Sequence, residues 1–311
     1  MKKILVFVSV FALVFFAVFG IVSCGGTPAP VEEAPVPPPP PPPPPPSPPP
    51  AAATTAKPTV GPEIQINFTP EMFSPDGDGE NDELEVSITI NHSAEIYGWA
   101  IEIREPEPPY LLFSEWSGRG APPEKITWDG RSATGERVQS ASEYHFALTV
   151  NDIYDNVSVY QGSIQVDVLV HREPGGVLRI IVPSIVFPPN ANVFTGLDDR
   201  RMRNNDRILR RIAEVLNKFD TYKVTVEGHA NPTTPPNTTA RTNEENGTRT
   251  VKGLKPLSEE RARAVVAYLE NLGVAKGRLT AVGMGGTRTV VDFADRDNWW
   301  KNRRVEFILI K

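Results

Sequence analysis

The chain has 311 residues, a net charge of −6 and 33 prolines. Sixteen of those prolines lie between Pro28 and Pro50, so the first fifth of the chain cannot pack as an ordinary globular domain. The remaining residues, roughly 250, are enough for two separate hydrophobic cores.

The N-terminus has the pattern of an export signal. Lys2 and Lys3 precede an uncharged apolar run from Ile4 to Val22, which is followed by Ser23-Cys24-Gly25-Gly26. A basic start, an apolar segment and small residues at the break predict a signal peptide over residues 1–23. An uncleaved membrane helix is the alternative, because the run is just long enough to span a bilayer.

Cys24 is the only cysteine, which excludes an internal disulfide. Ile21-Val22-Ser23-Cys24 resembles a relaxed bacterial lipobox. The resemblance implies that Cys24 is acylated and anchors the mature protein in a membrane, and Gly25 after it implies the periplasmic face of the outer membrane.

Residues 24–60 are expected to form a tether. Pro37–Pro46 is an unbroken run of prolines, which favours polyproline II rather than packing. At ~3.1 Å per residue, Pro37–Pro50 would span roughly 43 Å. Docking of this segment into an aromatic groove of another protein is the alternative to a spacer.

Charge divides the rest of the chain. Residues 58–175 contain six Lys and Arg against 21 Asp and Glu, a net of −15, whereas residues 176–311 contain 23 against 15, a net of +8. The change of sign favours a domain boundary near Arg172–Gly176. A basic segment suits an anionic partner, and export leaves cell-wall polymer rather than nucleic acid. A solvated basic surface without a partner is the alternative.

Residues 61–172 have the pattern of an all-β domain. Apolar residues alternate with period two in Leu84–Ile90, Trp99–Ile103 and Tyr144–Val150, and no helical stripe of useful length occurs. Several short strands separated by Gly-rich turns predict a β-sandwich. Ile126–Gly130 with Tyr144–Phe146, and Phe73–Asp82 as the entry, resemble the immunoglobulin-like domains of FlgD-type and gliding-motility-type proteins.

Four residues around two glycines could hold a structural calcium ion: Asp76, Asp78, Asn81 and Asp82. They do not form an EF-hand, because its twelfth position would be Ser87, in a predicted strand. Side-chain hydrogen bonds that cap a turn explain the same residues without a metal.

The sequence contains no pattern typical of an enzyme. The four histidines, His92, His145, His171 and His229, lie far apart, and none has a second type of metal ligand at a useful spacing. We find no Ser-His-Asp order and no glycine-rich phosphate loop. We therefore expect a binding protein without a catalytic site.

Residues 176–311 are predicted to form an α/β domain. Apolar residues at helical spacing predict helices over Asn205–Asp220 and over Glu259–Leu272, the second with Ser258 as N-cap. Three alternating segments predict strands: Tyr222–Glu227, Leu279–Met284 and Arg304–Ile310. Helices that alternate with strands imply a layered α/β arrangement.

Four motifs in this segment resemble those of the OmpA-type peptidoglycan-binding domain. They are the opening strand and loop Ile185–Asn192, Val226–Asn231 in place of Gly-His-Thr-Asp, Leu257–Ala262 as Leu-Ser-x-x-Arg-Ala, and the closing Asn302–Phe307. The family binds the stem peptide of peptidoglycan, with an aspartate for the diamino-acid ammonium and an arginine for the adjacent carboxylate.

The resemblance implies that Arg261 binds the carboxylate, that Asn190 and Arg303 line the site, and that Asn231 stands where the aspartate should be. Arg261 as a solvated helix residue, and Arg303 as an ion-pair partner of acidic neighbours, are the alternatives.

The segment also departs from the family pattern. Asn231 carries no charge, and the loop Pro232–Pro256, which contains Glu244 and Glu245, is longer than usual. Either glutamate could supply the missing charge. This version resembles that of spirochaete proteins, whose walls carry ornithine in the stem peptide.

Three functions compete. The first is an outer-membrane lipoprotein that binds peptidoglycan and tethers the membrane to the wall. The second is an envelope scaffold whose β-sandwich binds a protein partner. A motor stator of the MotB type is excluded, because residues 1–23 lack the acidic residue that a proton-carrying helix needs.

Overall fold

The computed structural model describes residues 57–311. The signal peptide, Cys24 and almost all of the tether lie outside the described residues. Within the described part, no helix is long and apolar enough to cross a membrane.

Two antiparallel sheets form the first part of the described chain. Their strands are β1 (Glu63–Thr69), β2 (Leu84–Asn91), β3 (Ile96–Arg104), β4 (Leu112–Arg119), β5 (Lys125–Trp128), β6 (Glu143–Asp152) and β7 (Val157–Gln165). One sheet has the order β1-β2-β5 and the other β4-β3-β6-β7. The three predicted strands lie within β2, β3 and β6 and are confirmed, and residues 61–172 contain no helix, as their sequence pattern predicted.

The two sheets share one apolar core. Alternate residues of β2 and β6 are buried, among them Leu84, Val86, Phe146 and Leu148. Trp128 is also buried in this core, and its ring N–H donates to the carbonyl of Arg131 at 2.8 Å. Period-two burial on facing strands is what the alternating sequence requires.

The second part is a five-stranded sheet with helices. It contains β8 (His171–Arg172), β9 (Leu178–Val182), α1 (Asp199–Lys218), β10 (Lys223–His229), α2 (Thr239–Asn246), α3 (Leu254–Asn271), β11 (Leu279–Gly285), a 3₁₀ helix (Arg296–Asn302) and β12 (Val305–Ile310). The strand order is β11-β10-β12-β9-β8. β10 and β11 are parallel, and α3 crosses between them, as a parallel connection requires.

Both long helices begin earlier than predicted. α1 starts at Asp199 rather than Asn205, because the Asp198 carboxylate accepts the N–H of Arg201 and caps the helix. α3 starts at Leu254, with Pro256 in its first turn, where a missing N–H costs nothing. The prediction of Ser258 as N-cap is wrong: Ser258 lies inside α3, where its hydroxyl donates to the carbonyl of Lys255 and accepts the N–H of Gly285.

The opening strand lies upstream of the segment that resembled it. β9 pairs with β12 up to Val182, whereas residues 185–192 are irregular. Pro183, Pro188 and Pro189 remove backbone donors from this stretch, so it cannot extend a ladder. The long segment 232–256 likewise contains α2, a helix that the sequence did not predict.

Ion pairs join the two parts, and the one between Lys301 and Glu105 is buried. Lys301, in the 3₁₀ helix, donates to Glu105 at 2.9 Å and to Glu136 at 2.6 Å. Arg211 of α1 donates three hydrogen bonds of 2.6–3.1 Å to Asp167. The two parts are thus held together by charged groups of opposite sign.

Candidate functional site

A cavity of about 350 Å³ opens beside β10, α3 and the end of the 3₁₀ helix. Its charged lining residues are Glu107, Arg261, Arg303 and Arg304, together with His229. Two of the predicted site residues, Arg261 and Arg303, therefore line one cavity.

Backbone carbonyls hold the Arg261 guanidinium. Its Nε donates to the carbonyl of Ala191 at 2.9 Å and its Nη2 to that of Pro188 at 3.3 Å, while the guanidinium lies 5.1 Å from the centre of the Phe187 ring. Among residues 57–311 it has no carboxylate partner. Partial burial lowers the pKa of Arg261, and the like charge of Arg303 lowers it further. The side chain is thus positioned while its charge stays unneutralised.

Arg303 follows the 3₁₀ helix, and its side chain makes no hydrogen bond or ion pair with any described residue. Protein atoms around the guanidinium shield it from water, and this desolvation lowers the pKa of Arg303. The nearby Glu107 carboxylate acts in the opposite direction. Asn190 is exposed in the left-handed conformation, with φ of 56°, between the two carbonyls that bind Arg261. Asn190 shapes the loop but does not line the cavity.

Asn231 is not among the residues that line the cavity. Its side-chain oxygen accepts from Asn302 Nδ2 at 2.8 Å, and its own amide donates to the carbonyl of Pro232 at 3.1 Å. Asn302 is buried and also accepts the N–H groups of Val290 and Val291. The Asn231 amide thus helps to fix the loop before the 3₁₀ helix.

The two glutamates of the long loop are engaged elsewhere. Glu244 accepts hydrogen bonds from the backbone and hydroxyl groups of Thr233 and Thr234. Burial opposes ionisation of Glu244, but these bonds outweigh it and lower its pKa. Glu245 accepts the N–H of Gly286. Both carboxylates hold the loop, and neither lines the cavity.

The structure corrects the expectation for His229. Its ring lies within 3.4 Å of Glu227 and 3.6 Å of Glu306, so three possible metal ligands meet. The signal was available in the sequence: residues two apart on a strand share a face, and Glu227 lies opposite Glu306 in the β10–β12 register.

This buried group has its own counter-charges. Arg304 and Arg179 pair with Glu306, and Arg288 with Glu227. Neither nitrogen of His229 has a hydrogen-bond partner. Burial and the charge of Arg304 lower the pKa of His229 to about 4, against the attraction of Glu306. Three guanidinium groups disfavour a cation here, so the group is a compensated ion network.

Asp76, Asp78 and Asp82 bring carboxylate oxygens together at the start of the first part. Each accepts local backbone N–H groups, as Asp82 does from Gly77 and Gly79, and Asp76 also accepts the N–H of Val170. Asn81 is in the left-handed conformation, with φ of 58°. These bonds explain the turn without a metal, and calcium binding stays a prediction.

Glu107 and Trp300 are among the residues of the cavity lining that were not predicted from the sequence. Glu107 comes from the turn between β3 and β4, and Trp300 from the 3₁₀ helix. No local motif identifies Glu107, because the packing of the two parts brings it to the cavity. Trp300 lies three residues before Arg303, next to a motif already identified.

Comparison with known proteins identifies a family match for one segment of the chain. Residues 202–303 match the OmpA family, which confirms that resemblance for this segment. No match was found among curated proteins.

Three solved structures illustrate the structural likeness. A MotB-like protein from Desulfovibrio vulgaris is 24% identical over 43% of this chain and 73% of its own, with a TM-score of 0.33. The cell wall anchor of the T6SS from Pseudomonas aeruginosa is 24% identical over 45% and 87%, with a TM-score of 0.34. The peptidoglycan-associated lipoprotein from Burkholderia pseudomallei is 22% identical over 40% and 86%, with a TM-score of 0.29.

Proposed function

We propose that this chain is an outer-membrane lipoprotein that binds peptidoglycan non-covalently and tethers the membrane to the wall. One observation carries the proposal. The segment that matches the OmpA family contains Arg261 and Arg303, which line one cavity with no carboxylate partner among the described residues. A pair of free guanidinium groups fits a carboxylate of the stem peptide. The role is binding, not catalysis.

The proposed organisation follows the chain. Residues 1–23 are the signal peptide, acylated Cys24 anchors the protein on the periplasmic face of the outer membrane, and residues 24–60 are the spacer. Residues 61–172 form an immunoglobulin-like sandwich and residues 176–311 the wall-binding domain.

Two features support the immunoglobulin-like identity. The Tyr144 hydroxyl, at the start of β6, accepts the N–H of Gln139 at 2.9 Å, the arrangement known as a tyrosine corner. Seven strands lie in sheets of three and four, with the first, second and fifth strands together. The order differs from the constant type in that the fourth strand lies beside the third.

Co-sedimentation of the full chain with purified sacculi tests wall binding. We expect the protein to pellet with sacculi and to be released by soluble stem peptide, because the stem peptide carries the recognised groups. Protein that stays in the supernatant at low salt would refute the proposal.

Fatty-acid labelling tests the anchor. We expect label on the wild-type chain and none on Cys24→Ser, because the thiol is the acylation site. Equal label on both proteins would contradict lipidation at Cys24.

A scaffold function is the second candidate. Val157 and Val159 are more than half exposed on β7, which is an edge strand, and exposed apolar residues at an edge favour a protein partner. If this strand binds an envelope protein, Val159→Lys should abolish co-purification of that protein and leave sedimentation with sacculi unchanged.

A further inference from the structure

The cavity that contains Arg261 and Arg303 has one lining residue from the first part of the described chain, Glu107. Glu107 lies in the turn between β3 and β4, where its carbonyl accepts the N–H of Tyr110 at 2.9 Å. Its carboxylate is half-buried, and among residues 57–311 it makes no hydrogen bond and no ion pair. The neighbouring Glu105, by contrast, accepts a hydrogen bond from Lys301 through one of its two oxygens.

The lining of the cavity carries charges of both signs. Arg304 is already neutralised by Glu306, and His229 is held in its neutral form by burial. The charges without an ion-pair partner are therefore those of Arg261, Arg303 and Glu107, and the Glu107 carboxylate is near enough to Arg303 to act against the lowering of its pKa. Glu107 is not within ion-pairing distance of either arginine. A cavity lined by unlike charges that do not form an ion pair suits a ligand that carries both a carboxylate and an ammonium group.

A second cavity of about 830 Å³ shares several lining residues with the first, including Glu107, Trp300, Pro183 and Val186. Its wall also includes Arg200, Arg203 and Arg207 of α1. The two cavities therefore adjoin at Glu107, so a residue bound in the smaller one has room for a peptide that continues into the larger one.

We propose that Glu107 of the first part is the acceptor for the side-chain ammonium of the diamino acid in the stem peptide, while Arg261 and Arg303 bind the carboxylate of the same ligand. This inference rests on the proposed wall-binding function. It gives the β-sheet part a direct role in the site and supplies the negative charge that Asn231 lacks.

The test uses isothermal titration of the full chain in detergent. The ligands are two stem peptides, one with diaminopimelate and one with ornithine, each also prepared with its side-chain amine acetylated. The variants are Glu107→Gln, Glu107→Ala and, as a charge-matched control, Glu124→Gln. Glu124 is an exposed residue of the same part, and its side chain makes no ion pair with any described residue.

We expect both Glu107 variants to bind the free-ammonium peptides about five- to tenfold more weakly than wild type, because one partly exposed charge pair is lost. The acetylated peptides should bind wild type and Glu107 variants alike, and Glu124→Gln should behave as wild type. Since Glu107 has no side-chain partner, thermal unfolding of the variants should match that of wild type.

The outcomes are distinguishable. If wild type binds the free-ammonium peptides and both Glu107 variants bind them equally well, Glu107 is not the acceptor, although wall binding stands. A wild-type chain that binds neither the peptides nor sacculi would overturn both this inference and the proposed function.

Discussion

Arg261 is held by its neighbours without being neutralised by them. Two carbonyls and the Phe187 ring orient the guanidinium, and the pKa-lowering effect of burial shows that its charge is costly where it lies. Carbonyl acceptors leave a net positive charge in place, which a ligand carboxylate would neutralise. By contrast, Arg263 on the same helix is exposed and paired with Glu259.

Replacing Arg261 by Ala should weaken binding to sacculi by about 1.5–3 kcal/mol, because a charge-assisted hydrogen bond is removed. Arg261→Lys should recover only part of the affinity, since an ammonium cannot form a bidentate pair. Co-sedimentation isotherms measure the effect, and Arg263→Ala is the matched control. If the Arg261 and Arg263 variants bind equally well, Arg261 is a surface residue only.

Asn231 is the residue at which sequence and structure lead to different expectations. Its neutral side chain, in the position of the family aspartate, predicts modest affinity and a gain on substitution by Asp. In the structure its amide binds Asn302 and Pro232 and does not line the cavity.

From these contacts we expect Asn231→Asp to change the affinity for sacculi by less than about twofold. A carboxylate would keep the bond from Asn302 but lose the one to Pro232. Titration at two salt concentrations decides the matter: a tightening that grows as salt is lowered would show that position 231 faces the ligand after all.

At the scale of elements, the sequence predicted the helices and strands with a clear apolar period, but it did not predict the contacts between distant residues. The apolar spacing of α1 and α3 and the alternation of β2, β3 and β6 follow from local geometry, so these elements were found. α2 was missed because it has no apolar stripe and only Glu245 of it is buried.

The close approach of α3 to the sheet also depends on tertiary contacts. A Cβ on Gly228 would lie 2.1 Å from the carbonyl oxygen of Ser258, and one on Gly283 would lie 2.3 Å from that of Lys255. Glycines at these positions let α3 sit directly on β10 and β11, which fixes where Arg261 enters the cavity.

Because the His229 imidazole is buried on the face shared by β10 and β12, we expect the stability of the protein to depend on pH. His229 is buried and has a pKa of about 4 in the folded chain, against an ordinary value of 6.5. A folded pKa below the unfolded one means that stability is complete above pH 6.5 and is lost as the pH falls towards 4.

The loss should reach about 3 kcal/mol at most, because the pKa of His229 falls from 6.5 to about 4 and each unit of pKa corresponds to about 1.4 kcal/mol. Urea unfolding of wild type and His229→Gln between pH 7 and 4 measures the difference. Its control is His145→Gln, at an exposed residue. Parallel curves for wild type and His229→Gln would exclude this role for His229.

At the scale of the whole molecule, some of the opposite charges of the two halves form ion pairs with each other. Asp167 pairs with Arg211, and Glu105 and Glu136 pair with Lys301, so acidic groups of the first part hold basic groups of the second. The composition predicted a domain boundary and an anionic partner. It could not predict that part of the charge would be used between the two parts, because pairing depends on how they pack.

Lys301 is more deeply buried than Arg211, the other basic residue in these ion pairs. Its side chain is 7% exposed and that of Glu105 5%. Burial alone would lower the pKa of Lys301, but its hydrogen bonds to Glu136 and Glu105 outweigh burial and raise it. Burial raises the pKa of Glu105, against the effect of Lys301. Without Lys301, the Glu105 carboxylate would be buried and uncompensated.

Lys301→Met should therefore lower the free energy of unfolding by about 3 kcal/mol, the typical cost of breaking a buried pair from one side. The matched control is Lys125→Met, which removes an exposed pair with Glu85 and should cost less than about 1 kcal/mol. Trp300 and Arg303 flank Lys301 around the cavity, so Lys301→Met should also bind sacculi more weakly.

Because Lys301 joins the two parts, calorimetry should resolve two unfolding transitions in Lys301→Met where wild type shows one. A single transition at the wild-type temperature would mean that the apolar contacts between the parts hold them together without this ion pair.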